Sequence, residues 1–251
     1  MPSAARTAVN GLKSMRKPEF LIYPQVTSTN DLAKKLAQEG AAHGSAVLAY
    51  AQTAGRGRRG RTFASPKGGI YLSVILRPRD PLPKLLHLTP VLAVAACDAI
   101  EEVAGVRPKC KWVNDLLLEG RKLAGILVEI SGDALIAGIG VNVARSDLPE
   151  ELRKIAVSLA EVGAACEKEP LARAIASHMA RACETAVSAQ KAWMDRYRAD
   201  CATIGQMVSA NGVSGIAKTV ADNGALIIET ETGDVSVQTG EVSCNPAANM
   251  V

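Results

Sequence analysis

The chain has 251 residues, 48% of them hydrophobic, enough for one large domain, or a domain plus a small module, with a sizeable core. Only 3% are aromatic, so that core is aliphatic and alanine-rich. A net charge of +4 is too mild for a dedicated duplex-DNA binder with a broad basic face, and no apolar run approaches a membrane span.

Six cysteines (97, 110, 166, 183, 201, 244) are scattered without a C-x-x-C pair, so zinc-ligand spacing is absent and a reducing cytoplasm fits best. The three histidines (43, 87, 178) are isolated and read as structural or surface groups. Residues 1–17 are basic, with no acid before Glu19 and no hydrophobic stretch of a secretory signal. They weakly resemble a transit peptide and read better as a disordered tail.

Phe20–Tyr23 reads as a strand. Ser28-Thr29-Asn30-Asp31 then has the form of a capping box, with Ser28 as N-cap and Asp31 in the usual glutamate position. Leu32, Ala33, Leu36 and Ala37 give a helical stripe that Gly40 ends. Ala46–Tyr50 and Ile70–Leu76 read as strands, and Leu85–Val103 as a long helix with Pro90 inside it or near its start.

Residues 109–143 read as an antiparallel meander: Lys109–Leu118, Leu123–Ile130 and Ala134–Val143, with turns at Glu119-Gly120 and Ser131-Gly132-Asp133. A helical pattern follows from about Leu148 to Gly163, and another from Pro170 to Arg198. Near Ile204 the character changes. Met207-Val208, Gly215–Val220, Ala225–Thr230 and Val235–Gln238 are short strand-like runs separated by Asn-Gly, Asp-Asn-Gly and Thr-Gly-Asp turns, the pattern of a small all-β, barrel-like module.

Between the second and third strands lies Gly55-Arg56-Gly57-Arg58-Arg59-Gly60-Arg61. Its glycines permit close backbone approach, and arginine forks match phosphate and carboxylate oxygens. The stretch literally fits the dinucleotide fingerprint G-x-G-x-x-G, but that fingerprint needs a helix opening at the glycines. Pro66, Gly68 and Gly69 argue against one, and Asp80 sits in a proline-flanked turn. The loop reads as an anion-binding loop; a solvated basic loop or a nonspecific RNA-contacting segment is the plainer alternative.

A second segment is Lys111-Trp112-Val113-Asn114-Asp115, followed by Arg121-Lys122-Leu123-Ala124-Gly125-Ile126-Leu127. The turn between them can bring Lys122 beside Asn114 and Asp115, where a lysine would answer developing phosphoryl charge. Taken alone, Lys122 is as readily a surface lysine of a hairpin. A third is Gly138-Ile139-Gly140-Val141-Asn142, whose alternating glycines suggest either close approach of another backbone or a ligand, or a tightly packed central strand.

In this order, Ser28-Thr29-Asn30, the arginine loop, Lys111–Asp115, Lys122–Leu127 and Gly138–Asn142 resemble the biotin–protein ligases, as do Gly224-Ala225-Leu226 and Gly240–Ser243 near the end. The resemblance covers about residues 18–245. It implies an α+β fold: a class II synthetase-like catalytic domain with a mixed, largely antiparallel sheet and flanking helices, plus a small C-terminal SH3-like β-barrel. The catalytic biotin- and ATP-binding domain would occupy 18–203 and the module 204–251.

Such enzymes join biotin to ATP as biotinyl-5′-AMP and pass biotin to a lysine of a carboxylase's biotin carrier domain, such as that of acetyl-CoA carboxylase. By resemblance, Ser28, Thr29, Asn30 and Gln52 would line the head-group end of a biotin pocket, and Arg56, Gly57 and Arg58 would close over biotin and the α-phosphate. Arg58 and Lys122 would be the catalytic cations, Lys122 bridging the biotin carboxylate and the phosphate. Arg59, Arg61, Phe63, Lys111, Asn114, Asp115 and Asn142 would serve ATP, with Phe63 against adenine, Asp115 as ligand of Mg²⁺ and Asn142 toward the triphosphate or its metal.

Two positions depart from the pattern: Val113 stands where many members have proline, and Thr62-Phe63 replaces a pair that more usually ends in tryptophan. Some members carry an N-terminal winged helix-turn-helix and act as repressors; the roughly 17 residues before the first strand are too few for one, so no specific DNA binding is expected. Many members pair as homodimers, but no interface is legible. The nearest rival, a lipoate or octanoate ligase or transferase on the same fold, lacks this arginine-glycine loop. An RNA-binding module would call for stacking aromatics, of which the chain has few (Phe 2, Tyr 4, Trp 2).

Overall fold

The computed structural model describes residues 17–144, 149–240 and 242–244; the N-terminal segment read as a tail lies outside them but for Lys17. The elements run β1 (Phe20–Tyr23), α1 (Thr29–Gln38), β2 (Ala46–Ala49), β3 (Gly69–Leu76), α2 (Leu88–Ala104), β4 (Lys109–Lys111), β5 (Asp115–Leu118), β6 (Arg121–Ser131) and β7 (Ala134–Asn142). Then follow α3 (Glu150–Arg153), α4 (Lys168–Thr185), α5 (Gln190–Asp200), β8 (Met207–Ala210), β9 (Val213–Val220), β10 (Leu226–Thr230), β11 (Gly233–Val237) and β12 (Ser243–Cys244).

β1 to β7 form a seven-stranded sheet in the order β1-β2-β3-β7-β6-β5-β4. Only β1 and β2 run parallel; the other pairs are antiparallel, giving the expected mixed sheet. β3 is buried along its whole length because both sheet faces are covered. Leu48, Leu72 and Leu76 join the core beneath α2 and α4, while Val47 and Ile75 alternate with them to meet Ala33 and Ala37 of α1. Period-2 alternation in the strands and small residues on α1 are what let helices pack on both faces. Each Val, Leu or Ile side chain so buried contributes about 1.5–3 kcal/mol.

Two hairpin turns use the expected residues. Glu119 and Gly120 have φ of 50° and 73°, and Asn211 and Gly212 have 51° and 82°, the left-handed pairs that two-residue hairpins require. α2 stops at Gly105, which takes φ of 70°.

Three local expectations are corrected. Ser28 stands at the N-cap of α1 with extended backbone, but its side chain makes no capping bond. Asp31 does not reach back toward it either, because the Arg56 fork takes its carboxylate. The run 109–118 is not one strand: residues 112–114 turn, and Lys111 pairs with Asp115 across them. Trp112 is the cause, its backbone N–H donating to Thr203 Oγ1 at 2.9 Å and its indole N–H to the Gly224 carbonyl at 2.9 Å. The helix expected over 148–163 begins outside the described residues and is otherwise two separate turns, α3 and a 3-10 turn at Ala160–Val162. Between them the chain extends along β6, with Lys122 N–H donating to Ile155 O at 2.8 Å and Val157 N–H to Lys122 O at 2.9 Å. Tertiary pairing has overridden a helical pattern.

β8 to β12 form a separate five-stranded antiparallel sheet, β11-β10-β9-β8-β12, the small SH3-like module of the expected fold. It is docked by the Trp112–Gly224 bond and by the Arg198 guanidinium donating to Val220 O at 2.8 Å. Gly224 must be glycine, since its φ is 85° and an added Cβ would come within 3.2 Å of the His87 Cα.

Candidate active site

The α1-side face of the sheet is open where the glycines of β6 and β7 lie side by side. Register puts Tyr71 opposite Gly140, Ser73 opposite Gly138, and Gly125 opposite Gly140. A Cβ on Gly138 would overlap the Asn30 amide, and one on Gly140 would overlap the Phe63 ring. β7 is a central strand, as one reading of the sequence has it, and what its glycines admit is neither backbone nor ligand but side chains of α1 and of the arginine loop, which lie down on the sheet.

Above this floor is a cavity of about 400 Å³. Its lining brings together every residue singled out from the sequence: Ser28, Thr29, Asn30, Gln52, Arg56, Gly57, Arg58, Arg59, Arg61, Phe63, Lys111, Asn114, Asp115, Lys122 and Asn142. The volume suits a small molecule.

One end is lined by uncharged polar side chains. Ser28, Thr29 and Asn30 are buried there, and Ser73 is completely buried. Gln52 Oε1 accepts from the Thr29 backbone N–H at 2.8 Å and from its hydroxyl at 3.1 Å. Gln52 Nε2 donates to Ser65 Oγ at 3.0 Å, and that hydroxyl donates to the Phe63 carbonyl at 2.9 Å.

The other end is cationic. Arg58, Arg59, Arg61, Lys111 and Lys122 have a single carboxylate, Asp115, beside them among the described lining residues; Arg56 also lines the cavity but is held at its mouth. The loop folds on itself through Gly57 N–H to Arg61 O at 2.7 Å and Phe63 N–H to Gly55 O at 2.9 Å. Arg59 adopts φ of 56° and stands exposed at the rim. Arg58 spans the cavity to donate to Asn114 Oδ1 at 3.0 Å. Asn114 in turn donates to Asp115 Oδ1 at 3.3 Å and to Ile126 O at 3.1 Å, so it braces the arginine against the hairpin. Lys122 Nζ lies 2.8 Å from Asp115 Oδ1.

Phe63 packs edge-on to Tyr71 with ring centroids 6.4 Å apart, and the Lys122 ammonium sits 5.7 Å from the Phe63 centroid. Burial pushes the Tyr71 phenol well above its ordinary pKa, and its hydroxyl donates to Pro66 O at 2.8 Å. The Asn142 amide nitrogen is taken up by Lys122 O at 3.4 Å and Val157 O at 3.2 Å.

At the mouth, the Arg56 fork donates to both Asp31 oxygens, one of them at 2.7 Å. Those bonds hold the Asp31 carboxyl below its ordinary pKa. Glu129 lies beside this pair, 3.5 Å from Arg56, and accepts from Lys34 at 2.6 Å and from Asn30 Nδ2 at 2.6 Å. Burial opposes its charge, but Lys34, the Asn30 amide and Arg56 outweigh burial and keep its pKa below the ordinary glutamate value.

Several site residues were not picked out from the sequence. Ser73 and Glu129 had a visible signal, a polar residue inside an apolar strand. Leu152 reaches the cavity from α3, Ile155 and Ala156 from the extended run that follows it, and Gly240 and Val242 from the C-terminal module. Among the described residues no three His, Cys, Asp or Glu side chains converge as a metal cluster, and no helix is long and apolar enough to cross a membrane.

The Biotin/lipoate A/B protein ligase family matches residues 22–144, and the biotin protein ligase C-terminal domain matches residues 203–244. The bifunctional ligase/repressor BirA of Bacillus subtilis is 44% identical over 160 residues, covering 60% of this chain and 49% of its own, so the chain spans about half the length of that relative. The biotin–[acetyl-CoA-carboxylase] ligase of Mycobacterium tuberculosis is 34% identical over 236 residues, covering 88% of this chain and 87% of its own. The structure of Aquifex aeolicus biotin protein ligase with biotin and ATP superposes with a TM-score of 0.81 at 29% identity, over 90% of this chain and 98% of the other. With both family models matched in chain order and a relative matched along nearly its whole length, this chain belongs to the biotin protein ligase family.

Proposed function

We propose that the protein is an ATP-dependent biotin–protein ligase that forms biotinyl-5′-AMP and then biotinylates a lysine of a carboxylase carrier domain. The observation that carries this reading is the division of one cavity into a neutral, hydrogen-bonding end and a cationic end. A ureido ring offers N–H donors and one carbonyl acceptor, which short polar side chains match. A carboxylate and a triphosphate are both anionic and repel each other, which Arg58, Lys111 and Lys122 offset.

In the first step a biotin carboxylate oxygen bonds to the α-phosphorus while the bond to the bridging oxygen of the leaving pyrophosphate breaks. Lys122, tethered to Asp115 at the cationic end, is the cation assigned to the point where the carboxylate and the α-phosphate would meet. Arg58, braced by Asn114, neutralises charge from the loop side. In the second step a carrier lysine amine attacks the acyl carbon, an amide forms, AMP departs, and the proton leaves the amine. No side chain of the chain becomes acylated in this scheme.

Arg59 and Arg61 are assigned to the phosphates at the rim, and Phe63 to an apolar contact with the bound ligands. Asn142 keeps only its carbonyl oxygen for ATP. Mg²⁺ fits a site of one carboxylate, Asp115, with amides beside it, since this ion keeps several waters and takes the rest of its ligands from a triphosphate. It would supply charge neutralisation at the phosphates. Residues 18–203 are proposed as the catalytic unit and 204–251 as the accessory module, which lends Gly240 and Val242 to the cavity. Cys97, Cys110, Cys166, Cys183 and Cys201 form no disulfide, in keeping with a cytoplasmic enzyme.

The family model also includes lipoate ligases, so lipoate is the competing acid. Biotin-dependent exchange of pyrophosphate into ATP, with lipoate as control, tests the reading: exchange with biotin alone supports it, and exchange with lipoate alone overturns it.

A further inference from the structure

The polar end of the cavity ends in two groups that can only accept hydrogen bonds. One is the Phe63 carbonyl, which fixes Ser65 and through it the Gln52 amide. The other is Glu129, ionised beside Lys34. An asparagine amide has two chemically opposite edges and can turn over unless its neighbours forbid it. A carboxylate forbids it: the edge facing Glu129 must be the nitrogen, at 2.6 Å. The oxygen edge of Asn30 then falls against Gly138 and takes the proton of Ser73, a completely buried hydroxyl. Ser73 Oγ is also 2.8 Å from the Thr29 hydroxyl. With its own proton on Asn30, Ser73 can only accept there, so the single Thr29 proton is shared between Ser73 Oγ and Gln52 Oε1, while the Thr29 backbone N–H holds Gln52 Oε1 in any case; the two anchored amides thus meet at Thr29.

Resting on the biotin reading above, we infer that Glu129 is a positioning residue: it fixes the orientation of the Asn30 amide, with Ser73 closing the other edge, and so sets which hydrogen-bonding edge the head-group end offers its ligand. Glu129 does not itself line the cavity. Its effect is on recognition of the ring system, not on the phosphates, which lie at the cationic end. A carboxamide at position 129 has the same shape and can turn its own N–H₂ toward Asn30, which removes the restriction.

Biotin and MgATP are titrated separately into the wild-type chain, Glu129→Gln, Ser73→Ala and Lys34→Ala, with the Tm of each recorded. Glu129→Gln is expected to weaken biotin about 10-fold or more. Its ATP affinity and Tm should stay wild-type-like, and in pyrophosphate exchange the KM for biotin should rise while kcat at saturating biotin holds. Ser73→Ala should weaken biotin in the same sense and decides the matter if Glu129→Gln does not fold. Lys34→Ala, which removes the ion pair and leaves the carboxylate, should stay within about 2-fold. Unchanged biotin affinity in Glu129→Gln and Ser73→Ala, or an equal loss in Lys34→Ala, overturns the inference and leaves the ligase reading intact. A wild-type chain that binds no biotin overturns the ligase reading itself, and this inference with it.

Discussion

The Lys122 ammonium is brought to within 2.8 Å of the Asp115 carboxylate by a break in the pleat of β6. Between Leu116 and Leu117 the β5–β6 register slips, so that Leu116 faces Ala124 while Leu117 faces Lys122. Leu123 and Ala124, adjacent in sequence, both join the core, and Lys122 is thereby turned to the cavity face. Gly125 leaves room for it: an added Cβ there would come within 3.2 Å of both Cε and Nζ of Lys122.

Lys122→Ala and Arg58→Ala are each expected to cut biotin adenylation by about 100-fold or more, the effect of removing one pre-placed cation from a developing charge. Single-turnover formation of biotinyl-5′-AMP measures it. Near-wild-type rates in both variants would refute the assignment of these two cations.

Gly138→Ala is expected to abolish measurable biotin binding while the chain stays folded, because the new methyl displaces Asn30 from the sheet. Overpacking of this kind costs about 1–3 kcal/mol, tolerable to the fold but felt directly at the ligand. Calorimetry beside far-UV circular dichroism separates the two effects; a variant that binds biotin normally would show that Asn30 does not need its seat on Gly138.

Asp31→Asn should loosen the arginine loop. The loop is full of tryptic sites, so cleavage after Arg56, Arg58, Arg59 or Arg61 in the absence of ligand should speed up relative to the wild-type chain. The pH dependence has a definite sign. The Asp31 carboxyl is held low by the Arg56 fork, so the clasp is present above the ordinary aspartate pKa and is lost only as pH falls through the depressed value. Equal cleavage of variant and wild type at neutral pH would mean the loop is held by other contacts.

How much of this was legible in the sequence depends on the range of the interaction. β1, the glycine stops and the Glu119-Gly120 turn follow from local chemistry and stand as read. The motif residues converge on one cavity, as their order implied. The turn at 112–114 was not legible, because it is imposed by Trp112 reaching Thr203 and Gly224, some ninety residues and more away. The extended run at 155–157 is likewise fixed by pairing with Lys122, not by its own pattern. Asp31 fits a capping box by spacing alone, and only the fold reveals that an arginine takes it instead.

Stability away from the site should hinge on Arg107. It donates to Asp200 at 2.6 and 2.9 Å, to Asp98 at 2.9 Å and to Glu101 at 2.7 Å, tying the start of β4 to α2 and α5. Asp200 is only 8% exposed. Arg107→Ala strands that carboxylate with Lys109 at 3.4 Å as its remaining cation, and is expected to cost about 2–3 kcal/mol in urea unfolding. A change under about 0.5 kcal/mol would place the network among ordinary surface pairs.

The central claim, that the two ends of one cavity hold biotin and ATP for joining, is tested most directly by pyrophosphate exchange into ATP with purified protein and MgATP. Exchange that appears only when biotin is added, and not with lipoate, is the expected result. Exchange indifferent to biotin, or none under any acid, would contradict the account.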